Sequence, residues 1–272
     1  MTRLAAVAEV GLGYALTAAS QRLLAASPPG GRERWQRVNH RGEPVSLLEG
    51  PAAVAGLLAS AMVAPGLEPR VRAASILGVG VAGTLGGYDD LAGSPSSKGL
   101  RGHLGALRRG EVTSGAVKLA GIGVAGLVCG AVLRPHPVEA VLAGGVVAGS
   151  ANLVNLLDLR PGRALKATAI ASAPLLSGGG GGPVAGLALG SACALLPEDL
   201  GERSMLGDAG ANGLGAAVGV AAGASLPRSG LVAVLAGLVA LTLLSERLSF
   251  TRVIEGTPGL RELDALGRRG PA

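Results

Sequence analysis

Aromatic side chains are almost missing from this 272-residue chain: Tyr14, Trp35, Tyr88 and Phe250 are all there are. A ligand ring that needs a stacking partner therefore has few candidates. Histidine is nearly as scarce, and His40, His103 and His136 each read as loop residues, too far apart to form a motif. The two cysteines, Cys129 and Cys193, sit inside apolar runs. That excludes a disulfide framework and a Cys-based metal site, and makes both packing residues. Charge is low as well, at 15% of residues. Stretches such as 231-LVAVLAGLVALTLLS-245 carry no polar face, which a surface helix of a soluble domain requires.

What remains is apolar and small. Glycine supplies 47 residues and the mean hydropathy is +0.48. Apolar runs recur at close to the length of about 20 residues that a spanning helix needs. Small residues let helix backbones approach closely in lipid, where packing drives association. The expected fold is all-α, a polytopic transmembrane bundle of about nine spans. They fall near 4–22, 51–65, 71–88, 117–133, 138–157, 166–177, 183–196, 213–226 and 230–246, separated by turn chemistry such as 27-SPPGG-31, 134-RPHP-137 and 227-PRSG-230. Glu9 interrupts the first run, which therefore reads as a retained helix rather than a signal peptide. The Gly run 178–182 reads as a flexible external turn. Residues 1–246 form the membrane domain, and 247–272 a cytoplasmic tail with interfacial character.

All but Arg3, Arg70, Arg72, Arg134 and Arg228 of the 24 Lys and Arg fall in loops on one side of this topology. The bias makes those loops cytoplasmic, the N-terminus external and the C-terminus internal. It also accounts for the sequence pI of about 10.1 without a nucleic-acid partner.

Acids gather on the same side. Asp89 and Asp90 end one span, Asp158 ends another in 152-NLVNLLD-158, and Asp208 opens a third in 205-MLGDAG-210. Converging carboxylates repel unless a cation neutralises them, and Mg²⁺ takes hard oxygen ligands and bridges phosphates. Lys98, Arg101, Arg108, Arg109, Lys118, Arg163 and Lys166 offer positive charge to phosphate oxygens. The Gly-rich 207-GDAGANGLG-215 offers backbone N–H groups to an anion. Taken singly, each acid also reads as a cap or a solvated interface charge, and Asn152 and Asn155 as interhelical hydrogen-bond partners.

In order along the chain, 38-VNHRGEPVSLLEGP-51, 87-GYDD-90, 118-KLAG-121, 152-NLVNLLD-158 and 205-MLGDAG-210 resemble the motifs of the polyprenyl-phosphate phosphoglycosyltransferases. That family includes the phospho-N-acetylmuramoyl-pentapeptide transferase of peptidoglycan synthesis and the N-acetylglucosamine-1-phosphate transferases of wall polymers. The resemblance implies a multi-pass plasma-membrane enzyme with its site on the cytoplasmic face. It implies Mg²⁺-dependent transfer of a sugar phosphate from a UDP-sugar to polyprenyl phosphate. Carried over, Asp208 is the prime Mg²⁺ ligand with Asp89 beside it, and Asp89 and Asp90 face the lipid phosphate, which of the two touches it being left open. Asp158 and Asn155 orient the nucleotide diphosphate, with Asn152, Gly207, Gly210 and Asn212 in the same substrate-binding set. Lys118 pairs with phosphate, Lys98 being its rival. Relatives often dimerise, which leaves room for a homodimer. The chain also departs from the family. Pro161 stands where a second acid is common, Ala211 replaces a common Ser, a tenth span is missing, and 245–269 contains no His. These departures fit an alternative, a non-catalytic descendant that binds polyprenyl phosphate or an envelope-assembly partner.

Overall fold

A computed structural model describes residues 3–39, 41–92, 102, 105–106 and 108–270. Lys98, Arg101, His40 and His103 lie outside the described residues. The fold is an all-helical bundle. In chain order its helices are α1 (Arg3–Ala26), α2 (Glu49–Val63), α3 (Pro69–Ala92), α4 (Ser114–Leu133), α5 (Pro137–Leu157), α6 (Arg163–Ser172), α7 (Gly182–Leu200), α8 (Gly207–Ser225), α9 (Arg228–Ser245), α10 (Phe250–Gly256) and α11 (Leu260–Ala265). Each of the nine apolar segments overlaps one of α1 to α9, but the segment 166–177 runs five residues past the end of α6. Of the described helices, α4, α5 and α9 are long and apolar enough to cross a membrane.

α8 is the axis, buried along nearly its whole length. It packs against α2, α3, α5 and α7. The reason lies in its sequence. A Cβ on Gly215 would stand 2.5 Å from the Ser150 carbonyl oxygen of α5, and one on Gly219 2.5 Å from Val147 Cα. No larger side chain fits at either point. α9 is held differently: it packs mainly on α5. Leu235 lies against Gly145, Leu238 against Gly149, and Asn152 Nδ2 donates to Thr242 Oγ1 at 3.1 Å.

Three local features differ from the sequence reading. Within 27–50, expected as a loop, Gln36–Val38 (β1) and Pro44–Ser46 (β2) pair as an antiparallel hairpin. The hairpin is tied to the segment before α8 by Ser46 N–H on Arg203 O at 3.1 Å and Met205 N–H on Ser46 O at 2.8 Å. The Gly run is a packed turn: a Cβ on Gly181 would meet the Ala221 carbonyl oxygen at 2.0 Å. Finally, α8 begins at Gly207, so the Gly-Asp-Ala-Gly segment is helical.

The tail is tied down as well. Asp264 is buried against Arg163 and Arg268. Burial raises its carboxyl pKa, but the hydrogen bonds and charges of the two guanidiniums outweigh that and hold it below its ordinary 3.8. The pairing with Arg163 and Arg268 therefore stabilises fully above pH 3.8 and is lost as pH falls through the lower folded value. Limited proteolysis across a pH series should find the tail protected at neutral pH and released only below that value. Release near pH 6 would contradict the pairing.

Candidate functional site

α3 and α5 run toward one end of the bundle, and α4 and α8 start from it, so their acidic and basic residues meet there. Asp90 provides the cap that α8 lacks, since the residue before α8 is Leu206 and offers no polar side chain. The two Asp90 oxygens accept the Asp208 and Ala209 backbone N–H groups, each at 2.9 Å. A carboxylate there satisfies two orphan donors and complements the helix dipole. Gly86, one turn earlier on α3, makes the approach possible, because a Cβ there would lie 2.3 Å from the Asp208 carbonyl oxygen. Gly207, at φ +62°, faces the Asp90 carboxylate.

Asp89 turns the other way, toward α4. Ser114 Oγ donates to its Oδ1 at 2.5 Å, and Lys118 Nζ to its Oδ2 at 2.7 Å. Ser114 and Lys118 are four residues apart and share a helix face. The same ammonium, on a residue only 7% exposed, also donates to the Asp208 carboxylate. Lys118 thus bridges two acids that are 119 positions apart in sequence. Asn212 is buried and donates to the Asp208 carbonyl oxygen at 2.7 Å.

Asp158 follows α5. Part of the residue opens to a cavity, while its carboxyl stands near the Gly207 amide and the acids Asp199, Asp208 and Asp90. Burial first, and then those like charges, push its pKa well above the ordinary 3.8, although the Gly207 amide works against the shift. Of the N–H groups that the sequence offers to an anion at 207–209, those of Asp208 and Ala209 are engaged by Asp90 here, and the Asp158 carboxyl stands beside that of Gly207. Gly210 packs against Gly50 and Leu206, which leaves no cradle at that position.

Two cavities flank these groups. The larger, about 410 Å³, lies between α4, α5 and α9. Its polar end is Lys118, Asn152, Asn155, Asn212, Thr242, Ser245 and Glu246, and its walls include Ile122, Leu235, Leu238 and Val239. Asn155 Oδ1 is buried there without a hydrogen-bond partner. The smaller, about 290 Å³, is lined by Asp158, Pro161, Asp199, Glu202 and Met205.

Asp199 and Glu49 were not singled out from the sequence. Asp199 accepts the Gly162 N–H at 2.8 Å. Glu49 is fully buried, with one oxygen on Ser204 Oγ and the other unpartnered. The available signal for Glu49 was an acid directly before an apolar run. Arg163 and Lys166, read as phosphate cations, are instead engaged by the tail.

Among the described residues, no group of three or more His, Cys, Asp or Glu is arranged to hold a metal ion. Asp89 and Asp208 are nevertheless hard oxygen donors that converge on one cation. The Lys118 ammonium takes that position in this conformation. The donor chemistry suits Mg²⁺ once the ammonium turns to another anion. No protein-family model matches the chain, and a search of curated proteins finds no relative.

Proposed function

We propose that this chain is an integral-membrane phosphoglycosyltransferase. It spans the plasma membrane nine times, N-terminus outside, with its site on the cytoplasmic face. It moves a sugar phosphate from a UDP-sugar to polyprenyl phosphate. One observation carries the reading: an ammonium clasped by two carboxylates stands at the polar head of an apolar groove. A molecule that fits such a shape is an amphiphile with a long hydrocarbon chain and an anionic head. The side of the bundle bearing the site is also the side on which the sequence places most Lys and Arg, as the positive-inside bias requires.

The prenyl chain lies along Ile122, Leu235, Leu238 and Val239, and its phosphate reaches Lys118. Lys118 then exchanges carboxylate oxygens for phosphate oxygens. Asp89 and Asp208, freed from the ammonium, would hold Mg²⁺, which would supply charge neutralisation to the diphosphate and leaving group. An oxygen of the lipid phosphate attacks the β-phosphorus of the UDP-sugar. The bond from that phosphorus to the bridging oxygen breaks, and UMP leaves with the electron pair. Both phosphates are ionised, so no general base is required. Asn155 contributes its unpartnered oxygen as an acceptor. Asp90 acts through α8, whose first turn it fixes and with it the position of Asp208. Positioning and charge neutralisation supply the rate enhancement.

The non-catalytic alternative is favoured by a different observation: Asp90 and Lys118 already have partners within the chain. One assay separates the two. Purified protein is given undecaprenyl phosphate and Mg²⁺ with UDP-N-acetylglucosamine or UDP-N-acetylmuramoyl-pentapeptide, and UMP is measured. Release that requires both lipid and metal is the expected result. Protein that retains the lipid but releases no UMP from any UDP-sugar donor is the non-catalytic form.

A further inference from the structure

The tail is bound more firmly than a trailing segment needs to be. Arg163, the first residue of α6 and 5% exposed, grips Asp264 with two bonds, Nε to Oδ1 at 2.8 Å and Nη2 to Oδ2 at 2.9 Å. Its third arm donates to Thr251 Oγ1 at 3.0 Å. Lys166 Nζ donates to the carbonyls of Leu263, Asp264 and Leu266, at 3.0, 2.7 and 2.9 Å. These bonds satisfy the C-terminal end of α11. In return, Arg268 Nε donates to the Pro161 carbonyl at 2.9 Å.

The tip of the tail reaches the other rim of the smaller cavity. Arg41 donates to the Gly270 carbonyl at 2.7 Å while its Nε holds Glu202, a cavity-lining acid, at 3.0 Å. The contact points thus fall on the β1–β2 hairpin and on the stretch from Pro161 to Lys166, whose leading loop, 158–163, carries Asp158. That loop is gripped on its far side by Asp199, through the Gly162 N–H. Leu200 fills the space over both Gly162 and Gly267. Between these two grips the loop has little freedom, and Asp158 stands at its start, beside the first amide of α8.

We infer that the tail is a positioning strap: Asp264, acting through Arg163, fixes the 158–163 loop and so sets Asp158 against the N-terminus of α8. Asp264 is a positioning residue, since it touches no substrate in the proposed reaction. A competing idea is that the Asp264 carboxylate mimics a substrate phosphate and must be displaced. The geometry argues against it, because Lys166 spends all three of its bonds on tail carbonyls rather than on the carboxylate. The buried Arg163–Asp264 pair is also part of the packing rather than an open anion site. The consequence for turnover rests on the proposed function, whereas the mechanical consequence does not.

The test uses the full chain in lipid nanodiscs. Hydrogen–deuterium exchange is followed at the Gly162 and Gly207 amides, with the Asp208 and Ala209 amides, which Asp90 holds, as the internal reference. Asp264→Ala, with Asp264→Asn as the shape-preserving variant, should raise exchange at the Gly162 and Gly207 amides by about tenfold or more. The pair exchange Arg163→Asp with Asp264→Arg should restore protection. In the UMP-release assay, KM for the UDP-sugar should rise at least about tenfold, the scale on which outer-shell partners act. The turnover number and the KM for lipid should stay within about twofold. Exchange that rises in the tail but not at Gly162 and Gly207 overturns the inference. So does a faster turnover, which would show the tail to be inhibitory. If the wild-type chain releases no UMP, the proposed function fails while the exchange data still decide the strap.

Discussion

Replacing Lys118 with Met should be among the most damaging single changes in the chain. Met keeps the length and removes the charge. Asp89 and Asp208 then face each other with no cation between them, in a place where Lys118 itself is 7% exposed. Breaking a buried ion pair by removing one partner costs about 3–5 kcal/mol. For a chain of this size that is a drop in Tm of about 10 °C. Transfer should fall by at least about 10²-fold, because the phosphate loses its ammonium partner. Arg is not a substitute: its planar fork cannot take the position of a compact ammonium between two carboxylates. The variant also probes the metal question without an activity assay. If Asp89 and Asp208 are cation ligands, Mg²⁺ should occupy the vacated position and raise the Tm of Lys118→Met more than that of the wild type. Equal shifts in the two proteins would count against those carboxylates as the metal site.

Gly86→Ala is the second large effect, and it reaches the site through packing alone. The added Cβ would lie 2.3 Å from the Asp208 carbonyl oxygen, 2.5 Å from its carbon and 2.8 Å from the Ala209 nitrogen. These are backbone atoms and cannot rotate aside, so α3 and α8 must separate. Separation breaks both 2.9 Å bonds from Asp90 to the first turn of α8 and draws Asp89 away from Lys118. The expected cost is about 3 kcal/mol, the upper part of the range for overpacking. A shift of about 1 Å at the reacting groups would lower turnover by about 10²-fold. Gly80→Ala on the same helix is the control, because its Cβ would meet only Leu58 Cδ2, at 3.8 Å. Thermal melts and turnover of the two variants should differ sharply. Similar behaviour would mean that the contact between α3 and α8 does not hold the site.

Much of the helix order was legible because the apolar runs are long and their breaks carry Pro and Gly. α8 was placed six residues late, since Gly-Asp-Ala-Gly-Ala-Asn has low intrinsic helix propensity and is helical only because its neighbours enclose it. The hairpin at 36–46 was invisible for a related reason: its register depends on Ser46 pairing with the segment at 203–205, far along the chain. At the site, the residue types in Asp89, Lys118 and Asp208 were readable, and the structure brings these three together. The division of labour within Asp89–Asp90 was not readable. Adjacent helix residues point in different directions, and only the position of α8 decides which one caps a helix and which meets the lysine. Arg163 and Lys166 show the same limit. As cations near a phosphate motif they read as ligands, yet their partners are a carboxylate and three carbonyls about 100 residues later.

The central claim is a group transfer, and its most direct measurement follows the group. Label is placed in the sugar and β-phosphate of the UDP-sugar that supports UMP release, and a single turnover is run with undecaprenyl phosphate and Mg²⁺ in nanodiscs. The account predicts that both labels appear together in the lipid-extractable fraction, in equal amount to the UMP formed, and that Asp208→Asn protein with wild-type exchange protection forms none. Label that stays in the aqueous phase while UMP is released, or equal transfer by the Asp208→Asn variant, would contradict it.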